Sequence, residues 1–237
     1  MATIEAPVSV FSNNDDVFAT YEAEITFTAK LMGGVPADPK LIEGWLRAKA
    51  GIDDDAEVMA VMRRTLTERG VEIPAEATYE EIVSASEQIA GERETTGFKR
   101  DHDGLYIEAR QVKAMLKECV NILFAGEKWG KTNKGPKNFT AERVFVEPDR
   151  IHVGRDEADG IDMVIGHVNG PGGPRSTLGY HEYVEQSTIT LRVLVVDDCI
   201  SAEQWARIWT HAEKNGLGAL RSQGHGQFVV TRWELRA

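Results

Sequence analysis

Residues 188–216 read TITLRVLVVDDCISAEQWARIWTHAEKNG and hold the clearest periodic pattern of the chain. Apolar and polar residues alternate over 188–196, which predicts a half-buried β-strand. The side chains predicted to share its buried face are Ile189, Leu191, Val193 and Val195. Ser201 is a suitable N-cap for a helix that Gly216 would end, and a last strand is predicted at Phe228–Leu235. This part of the chain is therefore a strand–helix–strand unit.

A second unit of the same kind is predicted over residues 105–153. Leu105–Ile107 is a short strand, Gln111–Phe124 is a strongly amphipathic helix, and Val144–Val146 and Arg150–Val153 are further strands. The residues predicted to face inward from the helix are Val112, Met115, Leu116, Cys119, Ile122 and Leu123. The repetition predicts an α+β fold with ferredoxin-like or RRM-like elements, and not a doubly wound parallel sheet.

The segment between the first strand and this unit has a different character. Residues 17–32 alternate as a strand, with Tyr21, Ala23, Ile25 and Phe27 on one face, and Gly33 follows it. Three helices are then predicted, at about 41–51, 53–70 and 78–91, the last opened by a capping box at Thr78. We therefore expect a core of residues 16–34 and 98–237, interrupted by an acidic, all-helical insertion at 35–97.

The net charge of −11 is unevenly distributed over the 237 residues. Residues 1–97 hold 19 acidic and 8 basic residues, whereas residues 98–150 hold 8 acidic and 11 basic ones. Between Lys113 and Lys137 there are six lysines against two glutamates. The overall charge argues against general affinity for polyanions, but the basic centre of the chain allows a local anion-binding groove.

Two segments are rich in glycine. Residues 166–179, GHVNGPGGPRSTLG, predict a long loop or a hairpin tip instead of a regular element. Residues 216–228, GLGALRSQGHGQF, lie between the last helix and the last strand. Gly218, Gly224 and Gly226 could let the backbone approach an anion closely, with Arg221 adding a guanidinium group. The alternative is a turn that only closes the last strand.

A strand that runs directly into a helix carries a second basic pattern. The residues of this segment are YIEARQVKAMLK, from Tyr106 to Lys117. Lys113 and Lys117 are four residues apart, so a helix places both cations on one face near its positive N-terminal end. The alternative is a solvated lysine edge of an ordinary amphipathic helix.

The strand–helix segment 106–117 and the glycine-rich segment 216–228 together resemble the RAMP superfamily, the guide-RNA-binding backbone and processing subunits of CRISPR effector complexes. The superfamily motif is a Pro-Gly-Ser-Ser-like turn, Leu-Lys-Gly, two residues and an Arg. Its last part is matched by Val112-Lys113-Ala114 and Lys117, whereas the turn reads Glu108-Ala-Arg-Gln111 and lacks the small residues. The residues similar to the C-terminal glycine-rich loop of the superfamily are Gly218, Arg221, Gly224, Gly226 and Phe228. The resemblance implies a ferredoxin-like core that binds RNA through its backbone and assembles side by side with other subunits.

A lysine-rich loop follows the amphipathic helix. Residues 126–138 read GEKWGKTNKGPKN, and the cations are Lys128, Lys131, Lys134 and Lys137. Flexible lysines neutralise phosphates, and Trp129 could stack on a base. The alternative is a solvated loop with a buried Trp129.

Catalytic and metal motifs are sparse. Processing nucleases of the resembled superfamily cleave RNA with a histidine and without metal, which makes His225 a weak candidate, with His211 and His181 behind it. Neither Asp101-His-Asp103 nor Asp197-Asp198 has the spacing of a structural zinc site, and no cofactor motif is present. Cys119 and Cys199 are isolated, and the N-terminus does not read as a secretory signal, so we expect a cytoplasmic protein without a cofactor.

The pattern as a whole predicts a RAMP-like, non-catalytic protein that binds RNA or another single-stranded nucleic acid in a homo-oligomer or a multi-subunit complex. RNA would contact Lys113, Lys117, the loop lysines with Trp129, and the glycine-rich loop around Arg221. The alternatives are a metal-independent endoribonuclease of the same superfamily and a protein–protein assembly module that has lost RNA binding.

Overall fold

The structure is a computed structural model. It describes residues 17–36, 42–43, 47, 54–82, 84, 95–130, 133–170 and 173–236, with the side chains of 166–170 and 173–177 left out. The strands are β1 (Phe18–Phe27), β2 (Leu31–Met32), β3 (Val35–Pro36), β4 (Thr95–Gly97), β5 (Lys99–Asp101), β6 (Gly104–Glu108), β7 (Val144–Glu147), β8 (Arg150–His152), β9 (Gly160–Gly170), β10 (Gly173–Val184), β11 (Thr188–Val196) and β12 (Phe228–Leu235). The helices are α1 (Asp55–Glu68), α2 (Ala109–Leu123), α3 (Pro136–Arg143) and α4 (Ala202–Asn215).

The main sheet has four strands in the order β12-β1-β11-β7, and every neighbouring pair is antiparallel. Strand β1 lies at its centre, with Ile25 opposite Ile189 of β11 and Val230 of β12. Along the chain the elements of this layer follow the order β1-α2-β7-β11-α4-β12. A βαββαβ order with strand order 4-1-3-2 is the ferredoxin-like topology, so the α+β fold class predicted from the sequence is confirmed.

The core lies between this sheet and helices α2 and α4. The predicted inward residues of β1 and β11 are buried in it, apart from the half-buried Tyr21. From α2 come Val112, Met115, Leu116 and Cys119, as predicted, but Ile122 is 53% exposed and Val120 takes its place in the core. The prediction for Ile122 is wrong because the buried side chains of α2 recur three or four residues apart from Val112 to Val120, and Ile122 lies beside that stripe. None of the helices in the described part of the chain is long and apolar enough to cross a bilayer.

The prediction of a strand–helix–strand unit over 105–153 is wrong in one respect. The strand that accompanies α2 in the main sheet is β1, which ends about eighty residues before the helix begins. Strand β6, which leads directly into α2, belongs instead to a separate three-stranded sheet, β5-β6-β8. Local periodicity identified β6 as a strand, but it could not say which sheet the strand joins.

Residues 166–170 and 173–179 lie in the two strands of a long hairpin, so the prediction that this segment is not a regular element is wrong. Strands β9 and β10 pair in register from Gly160–Tyr183 to Gly170–Gly173. Glycine and proline are tolerated here because a two-stranded arm leaves one edge of each strand free of further pairing. Strand β10 continues into a second sheet, where it pairs with β2 and β4.

The predicted insertion begins and ends beside this second sheet. Strand β3 lies at the start of the predicted insertion and strand β4 at its end. The two strands pair with each other, with Val35 opposite Gly97. Between them, α1 packs its buried Val58, Met62 and Leu66 in a small apolar cluster that is separate from the main core. Thr78 and Glu81 form the predicted capping box, whereas the predicted helix at 41–51 lies almost wholly outside the described residues. The domain boundaries at 35 and 97 stay a prediction.

Candidate nucleic-acid interface

Helix α2 begins at Ala109, two residues before the predicted Gln111, and presents the two expected lysines. The Glu108 and Gln111 side chains form a reciprocal capping box at its N-terminus. Lys113 and Lys117 lie on one flank, beside the edge strand β7, and are both half-buried. Neither makes an ion pair with any described carboxylate, whereas Arg110 on the same helix pairs with Glu108 and Arg143 on α3 pairs with Asp197. The flank therefore carries two adjacent uncompensated positive charges.

The Lys113 ammonium group is held in an unusual position. Its Nζ lies 4.5 Å from the centroid of the Phe145 ring, a cation–π contact with the exposed aromatic side chain of β7. Burial lowers the pKa of Lys113, and the positive charge of Lys117 lowers it further. Both effects oppose the protonated form of Lys113. A bound anion at this flank would offset the repulsion between the two ammonium groups and favour their protonated forms.

Arg221 lies on the other flank of the same helix. Its Nη1 donates to Glu118 Oε2 at 2.9 Å. Lys113 and Glu118 are five residues apart, which places them about 140° apart around the helix axis. A cleft of about 170 Å³ lies on the Arg221 side, between α2 and the glycine-rich loop. The predicted RNA contacts of Lys113 and Arg221 therefore do not form one continuous strip, and Arg221 already has a carboxylate partner.

The glycine-rich loop has a structural explanation. The backbone N–H of Leu217 donates to Gly226, that of Gly226 to Lys30, and that of Ala219 to Met32. A Cβ on Gly218 would lie 2.9 Å from the Met32 carbonyl oxygen. The loop thus packs against the β1–β2 connection, and these N–H groups are not free to hold an anion. Gly224 is different, since it is exposed and no atom lies within 4 Å of the position of a Cβ.

The lysine-rich loop is less uniform than its composition predicts. Lys134 forms an ion pair with Glu142, and Lys131 lies outside the described residues. Lys128 and Lys137 are exposed and make no ion pair within the described ranges. They are the two members of this group that the structure leaves available for a phosphate.

Trp129 is a core residue. It is 7% exposed, and its ring packs between Phe124 and Phe139. Its indole N–H donates to the Glu127 carboxylate at 2.9 Å. The predicted stacking of a base on Trp129 is therefore wrong, because the ring is buried in the apolar core. This burial offsets the cost of ordering a tryptophan in a polar loop.

The open face of the main sheet does not resemble a base-stacking platform at its centre. The outward side chains of the central strands are Phe18, Thr20, Glu22, Glu24 and Thr26 on β1 and Thr188, Thr190, Arg192, Leu194 and Val196 on β11. The aromatic residues of this face are Phe18, at the start of β1, and Phe145, on the edge strand β7, and they contact each other edge to face at 5.8 Å between centroids. Phe145 is 40% exposed. Sequence reasoning missed it, although an aromatic residue at the polar position of Val144–Glu147 was the available signal.

The candidate histidines are separated in the structure. His181 Nδ1 lies 3.1 Å from the Gly33 carbonyl oxygen, and His211 Nδ1 lies 3.3 Å from the Cys119 sulfur. His225 is half-buried in the glycine-rich loop, and its ring has no hydrogen-bond partner among the residues described. Burial raises the pKa of the Cys119 thiol to about 11, and the charge of Glu118 adds to this, so the thiol stays protonated beside His211. These positions bring no acid and base together.

Asp101 belongs to a polar cluster on the small sheet. Burial alone would raise its pKa, but hydrogen bonds from Arg150 at 2.8 Å, from His152 at 2.9 Å and from the Asp103 backbone outweigh this and lower the pKa to about 2. Asp101, His102 and Asp103 are close enough to share a metal ion, but both Asp101 oxygens already have partners. The cluster therefore serves as an ion-pair network that joins β5 to β8.

We expect Asp101→Asn to lower the free energy of unfolding by about 2 kcal/mol near neutral pH, because a depressed carboxyl pKa stabilises the folded state above the unfolded value of about 4. The deficit relative to the parent protein should shrink as the pH falls from about 4 to about 2, where the parent carboxylate is also protonated. Urea titrations at several pH values measure both effects. Asp103→Asn is the control, because that side chain is exposed. An equal effect of both substitutions would contradict the prediction.

Comparisons with known proteins find similar solved structures but no matching family model or curated protein. Among solved structures, a chain in the cryo-EM structure of the type III-B Cmr-β complex bound to cognate target RNA is similar, with 14% sequence identity and a TM-score of 0.48. The match covers 93% of this chain and 61% of that one. This chain thus spans about three fifths of the length of the Cmr-β chain.

Proposed function

We propose that the protein is a non-catalytic RNA-binding subunit of a nucleoprotein assembly, and that it holds RNA by the phosphate backbone along the Lys113 flank of α2. The Lys113 flank is defined here as Lys113 and Lys117 with the adjacent edge strand β7. Exposed Lys128 and Lys137 extend the positive charge beyond the helix. The resemblance to the RAMP superfamily, at the lysines of α2 and in the glycine-rich loop, supports the same class of ligand.

One observation carries the proposal, namely the absence of any described acidic partner for Lys113 and Lys117. Surface lysines gain little from ion pairs, yet Arg110, Lys134, Arg143 and Arg221 all have carboxylates within 4.0 Å. Two like charges kept four residues apart without compensation cost stability in the free protein. Phosphates recover this cost, and they also release counterions from the RNA.

Backbone contact fits this surface better than base reading does. Lysine is a flexible point charge and does not present the fixed fork that discriminates base edges. The carboxylates on the open face of the main sheet, Glu22, Glu24, Glu147 and Glu234, outnumber its arginines, Arg192 and Arg232, and would repel a phosphate chain laid across its centre. RNA on this protein would therefore follow the α2–β7 side and bind with little sequence preference.

We expect Lys113→Gln combined with Lys117→Gln to weaken RNA binding and to reduce the slope of log affinity against log salt by about 1.4, since single strands release about 0.7 counterions for each neutralised phosphate. Fluorescence anisotropy with single-stranded RNA over a range of salt concentrations, in EDTA, gives the slope. The RNA should be recovered intact.

The charge-matched control is Arg64→Gln with Lys214→Gln. Both residues are exposed and lack an ion pair within the part of the chain that the structure describes. This control removes the same charge from α1 and α4 and should leave the slope nearly unchanged. Equal losses in the two double variants would show that net charge alone controls binding, and they would contradict the proposed site.

A further inference from the structure

Phe145 is placed where a nucleotide bound at the Lys113 flank would have its base. The side chain projects from the edge strand β7 onto the open face of the main sheet and is 40% exposed. Phe18 packs against the Phe145 ring, with an angle of 89° between the two ring planes. The ring is therefore held in position by the fold while much of its surface faces solvent.

Given the RNA binding proposed above, on which this step rests, we infer that Phe145 is a base-stacking site and that the Lys113 flank takes single-stranded RNA in preference to duplex RNA. A base is joined to its phosphate by a single sugar. A base stacked on Phe145 thus leaves its phosphate next to Lys113 and Lys117, the two uncompensated cations.

Lys113 covers the ring in the free protein and must move when a base stacks. Its Nζ lies 4.5 Å from the ring centroid, and a cation–π contact at a partly exposed site is weak. A phosphate gives the ammonium group a charged partner in exchange for the ring. Release of the ring and capture of the phosphate are therefore one side-chain movement, and the vacated aromatic surface is then available to the base.

Duplex RNA cannot use this site in the same way. Its bases are already stacked in the helix, and proteins contact it mainly through phosphates and 2′-hydroxyl groups. Aromatic stacking is tolerant of base identity, because every base has a π-face. The site therefore selects strandedness and not sequence.

The test compares Phe145→Leu with the double lysine variant on two probes, a labelled single-stranded RNA and a labelled RNA duplex of equal length. We expect Phe145→Leu to weaken single-strand binding by about 5- to 100-fold, the usual effect of losing one stacked base, and to leave duplex binding within about twofold. Phe145→Trp keeps an aromatic surface and should retain single-strand affinity. Val229→Ala, an exposed truncation on β12 at the opposite edge of the sheet, is the control and should change neither probe.

The outcomes separate this inference from the proposed function. If the lysine variants leave both probes unaffected, the proposed RNA surface itself is wrong. If the lysine variants weaken binding but Phe145→Leu changes both probes equally or neither, RNA binding stands and the stacking site is overturned. Quenching of a fluorescent adenine analogue in the single strand, present with Phe145 and Phe145→Trp and absent with Phe145→Leu, would support stacking directly.

Discussion

Glu182→Gln should detach helix α1 and the apolar cluster around it, together called the α1 segment, from the rest of the protein. The stability of that contact should fall by about 3–5 kcal/mol, the usual cost of removing one partner of a buried ion pair. Glu182 Oε2 accepts from Arg69 Nη1 at 2.7 Å and from the Phe98 backbone N–H at 3.0 Å, and Arg100 lies 3.2 Å from its other oxygen. Arg69 is only 7% exposed. A neutral amide leaves this guanidinium group buried without a counter-charge.

The expected unfolding is local because the α1 segment has its own apolar cluster. Its buried residues are Ile42, Val58, Met62, Leu66, Val71, Ala77 and Ile82. Hydrogen exchange should therefore show faster exchange in α1, β4 and β10 than in β1 and β11 of the main sheet. This pattern would not follow from a general loss of stability.

The control is Glu185→Gln, three residues along the chain. Glu185 is about half exposed, and its carboxylate lies 3.7 Å from Lys30, which is a weak surface pair. We expect its substitution to change stability by less than about 0.5 kcal/mol. If Glu182→Gln behaved like Glu185→Gln, the Arg69–Glu182 contact would not hold the α1 segment in place.

Local pattern predicted the elements well where short-range physics decides them. The alternation over Thr188–Val196 predicts β11 to the residue, and the Ser201 cap and Gly216 bound α4 as expected. The same reasoning could not predict that β1 pairs with both β11 and β12, since those contacts join residues about 160 to 215 positions apart. Their free energy depends on the whole sheet and leaves no mark on a short window.

The candidate site shows the same division. Lys113 and Lys117 share a face, as the helical period requires, but the neighbours that decide their roles come from elsewhere in the chain. Phe145, whose ring contacts the Lys113 ammonium group, is 32 residues from Lys113. Glu118, which forms an ion pair with Arg221, is 103 residues from that arginine. Composition counts cations, whereas only the fold shows which of them already have a carboxylate.

Among glycine-to-alanine substitutions in the glycine-rich loop, Gly226→Ala should lower the free energy of unfolding most, by about 2–5 kcal/mol. Gly226 has φ +70°, and a Cβ there would lie 1.8 Å from the Leu217 carbonyl oxygen, a backbone atom that cannot move aside cheaply. The left-handed conformation costs an alanine about 1–2 kcal/mol, and overpacking against the backbone adds about 1–3 kcal/mol. Thermal or urea unfolding measures the sum.

Gly224→Ala separates the two contributions and also tests why this loop is rich in glycine. Gly224 has φ +86°, but no atom lies within 4 Å of its Cβ position, so the substitution should cost only the conformational part, about 1–2 kcal/mol. If close packing of the loop on the β1–β2 connection explains the glycines, Gly226→Ala loses stability and Gly224→Ala keeps its RNA affinity. If the loop instead binds RNA through its backbone, Gly224→Ala loses affinity although its stability falls only by the conformational part, since an exposed methyl group would then stand between the loop and the phosphate.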